Sequence, residues 1–148
     1  MASTSADEVL LGAARLMVSV SVGAADQIGE ASLVQLRALT ALGTVDHANL
    51  MQLADTMGVT VSTTSRLVDR LVAAGLVDRR PSEVTRREIS ISLTRAGRDV
   101  LQRYDDLRVQ ALRARLEQLG APQRTAAVEA LRDLVATSLP ATTPSGAD

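Results

Sequence analysis

The stretch VTVSTTSRLVDRL, residues 59–71, decides how the rest of the chain is read. It opens on small hydroxyl-bearing and β-branched residues and then sets apolar residues at helical spacing with arginines between them. On a helix Leu67, Val68, Leu71 and Val72 point one way, while Ser62, Ser65, Arg66, Asp69 and Arg70 share the other face through i, i+3 and i+4 spacing. The apolar side belongs to a core, which leaves the Ser/Arg side for a partner. Thr60, Ser62 and Thr63 suit either of two roles at such a helix start: capping it, or bonding phosphate and base edges. Asp69 is placed to pair with Arg66 or Arg70 on an ordinary solvated face.

Immediately upstream, TVDHANLMQLADTMG (44–58) predicts a second short helix, with Asp46 as its N-cap, Leu50, Leu53, Ala54 and Met57 on the buried face and Gly58 as its stop. The two helices meet around Gly58, Val59 and Thr60, the arrangement of a helix-turn-helix. Further back, Ser32 caps LVQLRALTALG, where Leu33, Leu36, Leu39 and Leu42 align and Gly43 ends the run. From Asp7 to Gln27 the stripe Val9, Leu10, Ala13, Leu16, Met17 and Val20 predicts another helix. Within it VSVSV (18–22) alternates like a strand, but no turn signal brackets it.

Downstream, LVDRR (76–80) and EISISLT (88–94) flank PSEVTRR, and Ile89, Ile91 and Leu93 alternate with Ser90 and Ser92. These are the strands of a hairpin with an Arg-rich tip. Thr94 caps a long helix carrying Val100, Leu101, Tyr104, Leu107, Ala111, Leu112, Leu116 and Leu119. Gly120, Ala121 and Pro122 break it, and a last helix follows to about residue 139. The fold expected is mainly α with a small β-hairpin: a winged helix-turn-helix core over 32–97, flanked by dimerisation helices over 7–31 and 98–139, with a disordered leader (1–6) and tail (140–148).

Composition fits one folded domain: 148 residues, 46% hydrophobic and 22% charged. One Tyr and no Phe or Trp leave a core of Leu, Val, Ala, Met and Ile, which suits helices packed on helices, and make base stacking on aromatic platforms a poor reading. No Cys, one His and no glycine-rich phosphate loop argue against an enzyme, a metal site or a cofactor. The apolar N-terminal run is interrupted by Arg15 and reads as too short to span a bilayer, so the expectation is a soluble, cytoplasmic chain with no membrane partner. All 16 basic residues are Arg. The formal charge of −1 conceals an asymmetry, because Gly58 to Arg98 holds eight Arg and four acids, a local balance of +4. A basic stretch in an acidic body is the footprint of a phosphate-binding surface.

Arg66 and Arg70 on the helix, with Arg86 and Arg87 at the hairpin tip, give arginine-bearing elements in the order a double helix would meet them: bidentate contacts to guanine edges or phosphates from the first, minor-groove insertion from the second. From Leu33 to Gly97 the chain resembles the winged-helix core of the MarR family of bacterial regulators, most specifically in SRLVDRLVAAGLV (65–77) and LTRAG (93–97). The resemblance implies a homodimeric, sequence-specific double-stranded-DNA-binding transcription regulator, a repressor of MarR type, relieved in many members by a small anionic or phenolic effector. The apolar stripes of the flanking helices exceed what a winged core can cover, which fits a C2 dimer on a pseudo-palindromic operator.

The family's effector pocket, between dimerisation helices and winged core, would here draw on the first, second and fifth helices, with Arg15 and Arg37 as candidate anion partners. The DNA-binding set carried over is Thr60, Ser62, Thr63, Ser65, Arg66, Arg70, Arg86 and Arg87. One departure stands out: where the family's wing carries Asp-x-Arg, this chain has Thr85, Arg86 and Arg87. The missing Asp resembles an orienting partner for the arginine that ends the first wing strand, here Arg79. Glu83 or Glu88 is expected to replace it, with Arg79 and Thr85 supporting the wing. The alternative is a winged helix used for protein contact without DNA binding, which has no need of arginines on both helix and tip.

Overall fold

The computed structural model describes residues 5–83, 85 and 87–138. Its elements are α1 (Ala6–Ile28), α2 (Leu33–Gly43), α3 (Leu50–Met57), α4 (Val61–Ala73), β1 (Val77–Pro81), β2 (Ile89–Leu93), α5 (Arg95–Leu116) and α6 (Ala121–Ala136). The expected class and element order are what is found, and contacts divide the chain between Gln110 and Ala111 into two compact units.

In the first unit the leucines of α2 are the centre of the core: Leu36 and Leu39 are fully buried and Leu42 nearly so. Leu53 of α3, Val68 and Leu71 of α4, and Val77 and Ile91 of the hairpin close on them, with Ala24 and Ala25 of α1 and Val100 and Tyr104 of α5 completing the cluster. Tyr104 is therefore a core residue. Val72, expected on the buried side of α4, is 39% exposed, and Thr64 takes the fourth buried position, its hydroxyl donating to the Thr60 carbonyl at 3.0 Å. At the helix start a Thr that satisfies its own hydroxyl fits the interior as well as an aliphatic side chain.

Three helices begin with reciprocal capping boxes: Ser5 with Glu8, Ser32 with Gln35 and Asn49 with Gln52. Ser5 thus caps α1 and Ala6 opens it, so neither is part of a disordered leader; the rest of the leader and all of the tail lie outside the described residues. The cap of α3 is Asn49, not Asp46, and the reason is tertiary. Ala48 is held in an antiparallel bridge to Ile91, its N–H donating to the Ile91 carbonyl at 2.9 Å and its carbonyl accepting in return at 2.7 Å. A residue fixed in extended backbone there delays the helix to Leu50.

The hairpin pairs Val77 with Leu93 through Pro81 with Ile89. Its far end is tied to α4: the Thr94 hydroxyl donates to the Gly75 carbonyl at 2.6 Å and accepts from the Gly97 N–H at 3.0 Å, while the Thr94 N–H donates to the Leu76 carbonyl. Gly97 is required at this crossing, since a Cβ on it would lie 2.0 Å from the Leu76 carbonyl oxygen.

Along α1 only Val20, Ala24 and Ala25 are buried; Val9, Leu10, Leu11 and Val18 are more than half exposed. At 23 residues with a mean hydropathy of 1.5 over its best 18-residue window, α1 is long and apolar enough to cross a membrane by length and composition, contrary to the sequence expectation. In the second unit α6 has no buried residue, and Leu134 and Val135 are exposed.

Candidate nucleic-acid interface

The outward surface is built on α4. Gly58 closes α3 in the left-handed conformation (φ 67°), and Thr60 starts α4 two residues later. The Thr60 hydroxyl accepts from the Thr63 N–H at 3.2 Å and donates to the Thr63 hydroxyl at 2.9 Å, so Thr60 is the cap and the two side chains satisfy one another. Beyond them Ser62, Arg66 and Arg70 are exposed on the face opposite Leu67, Val68 and Leu71, and Ser65 is half-buried. Among the described residues no carboxylate forms an ion pair with Arg66 or Arg70.

Asp69, placed by its spacing to pair with either of these two, pairs instead with Arg79 of β1, Nη1 to Oδ1 at 2.8 Å. The Arg79 Nη2 also donates to the Ser65 carbonyl at 3.4 Å, and its Nε is buried without a partner. Neither Glu83 nor Glu88 bonds to Arg79, so the expected wing replacement is overturned: the acid that orients this arginine comes from the helix and not from the wing. The partner exchange leaves Arg66 and Arg70 as uncompensated cations on the exposed face, one turn apart.

In the wing, the Ser82 N–H donates to the Glu88 carbonyl at 2.8 Å, the Glu88 N–H to the Thr85 carbonyl at 3.1 Å, and the Thr85 N–H to the Ser82 hydroxyl at 3.4 Å. Thr85 therefore serves the tip through its backbone. Arg87 is exposed beside it, and Arg86 lies outside the described residues. Arg80 pairs with its own neighbour Asp78 at 3.3 Å, which removes it from the basic set.

A second feature is a cleft of about 530 Å³ between α1, α2, α3 and α5, its walls including Met17, Val18, Leu33, Met57 and Tyr104. Two cations stand on it. Arg108 is held by Asp105 at 3.2 Å and lies 5.0 Å from the centre of the Tyr104 ring. Arg37 has no ion-pair partner among the described residues, and its Nη2 donates to the Met57 carbonyl at 3.2 Å. Of the two anion partners named from sequence, Arg37 is on the wall and Arg15 is not. Sequence reasoning missed Tyr104 and Arg108, whose i, i+4 spacing was the available signal. Among the described residues no group of three or more His, Asp or Glu side chains is placed to hold a metal ion.

Comparison with known proteins places this geometry. A model of the MarR family matches residues 32–88. An uncharacterized HTH-type transcriptional regulator of Bacillus subtilis (strain 168), YfiV, is 29% identical over 100 residues, which is 68% of this chain and 62% of that protein, so the chain spans less than two thirds of its relative. The crystal structure of RV1404 from Mycobacterium tuberculosis is 37% identical with a TM-score of 0.79, over 91% of this chain and 95% of that one. An S. aureus MepR mutant bound to an oligodeoxyribonucleotide shares the fold at 16% identity and a TM-score of 0.68, over 93% of this chain and all of the other.

Proposed function

Because the chain belongs to the MarR family of winged-helix transcription regulators, we propose that it acts in the cytoplasm as a homodimer that binds pseudo-palindromic double-stranded DNA and represses transcription. The observation that carries this reading is the division of α4. Its inner face is core; its outer face presents Ser62, Arg66 and Arg70 with no carboxylate paired to either arginine among the described residues, because Asp69 is engaged by β1. The small residues let the helix start approach base edges in a major groove, and guanidinium groups then read guanine or hold phosphate. Arg87 in the wing, joined to the same helix through β1, extends the cationic surface toward the neighbouring groove.

Support for a dimer lies in the apolar residues that the monomer leaves uncovered: Val9, Leu10, Leu11 and Val18 on α1 and, separately, Leu134 and Val135 on α6. A second copy is the partner that a twofold regulator supplies. The cleft beside α2 is the site for a small effector that relieves repression.

The test is selection of duplexes from random DNA, followed by anisotropy across a salt series. Affinity falls steeply with ionic strength when phosphates are neutralised by arginine. Arg66→Ala relaxes the selected sequence, and Arg87→Ala weakens all duplexes alike. Affinity indifferent to salt, or a pool without enrichment, rejects the assignment.

A further inference from the structure

We propose that Val61, at the start of α4, is a specificity-determining residue that recognises the C5-methyl group of a thymine in the major groove of the operator. The inference rests on the regulator reading above and adds a reader of A·T pairs to arginines that read guanine or hold phosphate.

Val61 is the first residue of α4 and stands on the row of Thr64 and Val68, three and seven positions on. Thr64 and Val68 are fully buried, whereas Val61 is 47% exposed, so the row leaves the core at its first turn and carries an aliphatic side chain past the body of the protein. Helix formation does not call for a valine there. A β-branched residue is a poorer helix former than alanine, and the cap of α4 is made by Thr60. Val59 is more covered, at 37%, and precedes the cap, in the turn where its N–H donates to the Ala54 carbonyl at 3.1 Å.

The polar side chains of α4 leave this task undone. Thr60 and Thr63 hold each other's hydroxyls. The helix contains no Asn or Gln, the side chains whose amides grip adenine in two prongs. Its long outward side chains are Arg66 and Arg70, and a guanidinium finds its paired acceptors on guanine. An A·T pair carries one apolar mark in the major groove, the methyl group of thymine, and Val61 is the one aliphatic side chain in the first turn of α4. Methyl groups brought together there exclude water from both surfaces, a gain that a base without the methyl group does not return.

The experiment uses the full chain and a duplex selected as above, in which each thymine of one half-site is replaced in turn by deoxyuridine, a change that removes the methyl group and keeps every hydrogen-bonding atom. One position is expected at which the change weakens wild-type binding about fourfold, the value of one buried methyl group. Val61→Ala should bind the thymine and uracil duplexes at that position within about 1.5-fold of each other, a loss of coupling that general weakening of the protein does not produce. Its salt slope should match the wild type's, because no phosphate contact is given up. Thermal melting checks its fold; should it fail, Val61→Thr, which keeps the shape and puts a hydroxyl in place of one methyl group, is read in its place. A wild type that binds every uracil duplex as tightly as the thymine duplex overturns the assignment, as does a selected half-site without thymine. A Val61→Ala protein that keeps the wild-type difference also overturns it, since the helix is then reading the deformability of the site and not its methyl group. Salt-dependent binding in any of these cases leaves the regulator reading standing; a wild type that binds no duplex at low salt removes that reading and the thymine contact together.

Discussion

Arg79 on β1 and Asp69 on α4 meet at 2.8 Å, joining the first strand of the wing to the helix that faces the candidate DNA surface. The pair has two consequences at once: it sets the wing against α4, and it withdraws the one acid of that face from Arg66 and Arg70. Asp69→Asn is therefore expected to change stability by less than about 1 kcal/mol, because both side chains are partly solvated. DNA affinity should fall further, by about fivefold, because the wing that carries Arg87 is no longer set against α4. Thermal melts and anisotropy on the same samples separate the two; a stability loss that accounts for all of the affinity loss reduces the pair to scaffolding.

Gly97 lies where α5 passes the Leu76 carbonyl, and the backbone leaves no space for a methyl group. Gly97→Ala should destabilise the protein by about 3 kcal/mol, the upper part of the overpacking range, since the obstacle is main chain and not a side chain that can turn aside. Urea unfolding measures it. Gly12, where an added methyl group would meet nothing within 4 Å, is the comparison that should lose no stability.

Thr60 supplies the cap of α4 and holds the Thr63 hydroxyl. Thr60→Ala should cost about 1 kcal/mol of stability and Thr60→Ser much less, since the serine hydroxyl makes the same bond. Equal losses in both variants would show that the methyl group, and not the hydroxyl, matters there.

Leu10 is 66% exposed on α1. Leu10→Glu should shift the light-scattering mass from dimer to monomer at micromolar concentration and abolish tight operator binding while helix content is retained. A dimer of unchanged mass moves the interface elsewhere.

The winged core was legible because local signals and burial agreed: the leucine rows of α2 and α3, the stop at Gly58 and the alternation of Ile89, Ile91 and Leu93 each depend on neighbours in sequence. What escaped depended on residues far apart. Asp46 has the side chain of a cap, but the pairing of Ala48 with Ile91 moves the helix start beyond it, and Arg79 takes its acid from ten positions back in the chain, not from the nearby wing. The hydrogen bond from Arg37 to the Met57 carbonyl likewise had no local signature, for both are conventional helix residues until tertiary packing puts a guanidinium beside a helix end.

The Ala48–Ile91 bridge makes the segment before α3 a third, one-residue rung on the edge of the wing. A loop fastened in this way has lost the freedom of most surface connections. Extra residues between Thr44 and Asn49 would have to bulge outward past a fixed rung, so length variation is better tolerated at the hairpin tip, and the wing and the helix-turn-helix should exchange their amide protons in a single cooperative opening.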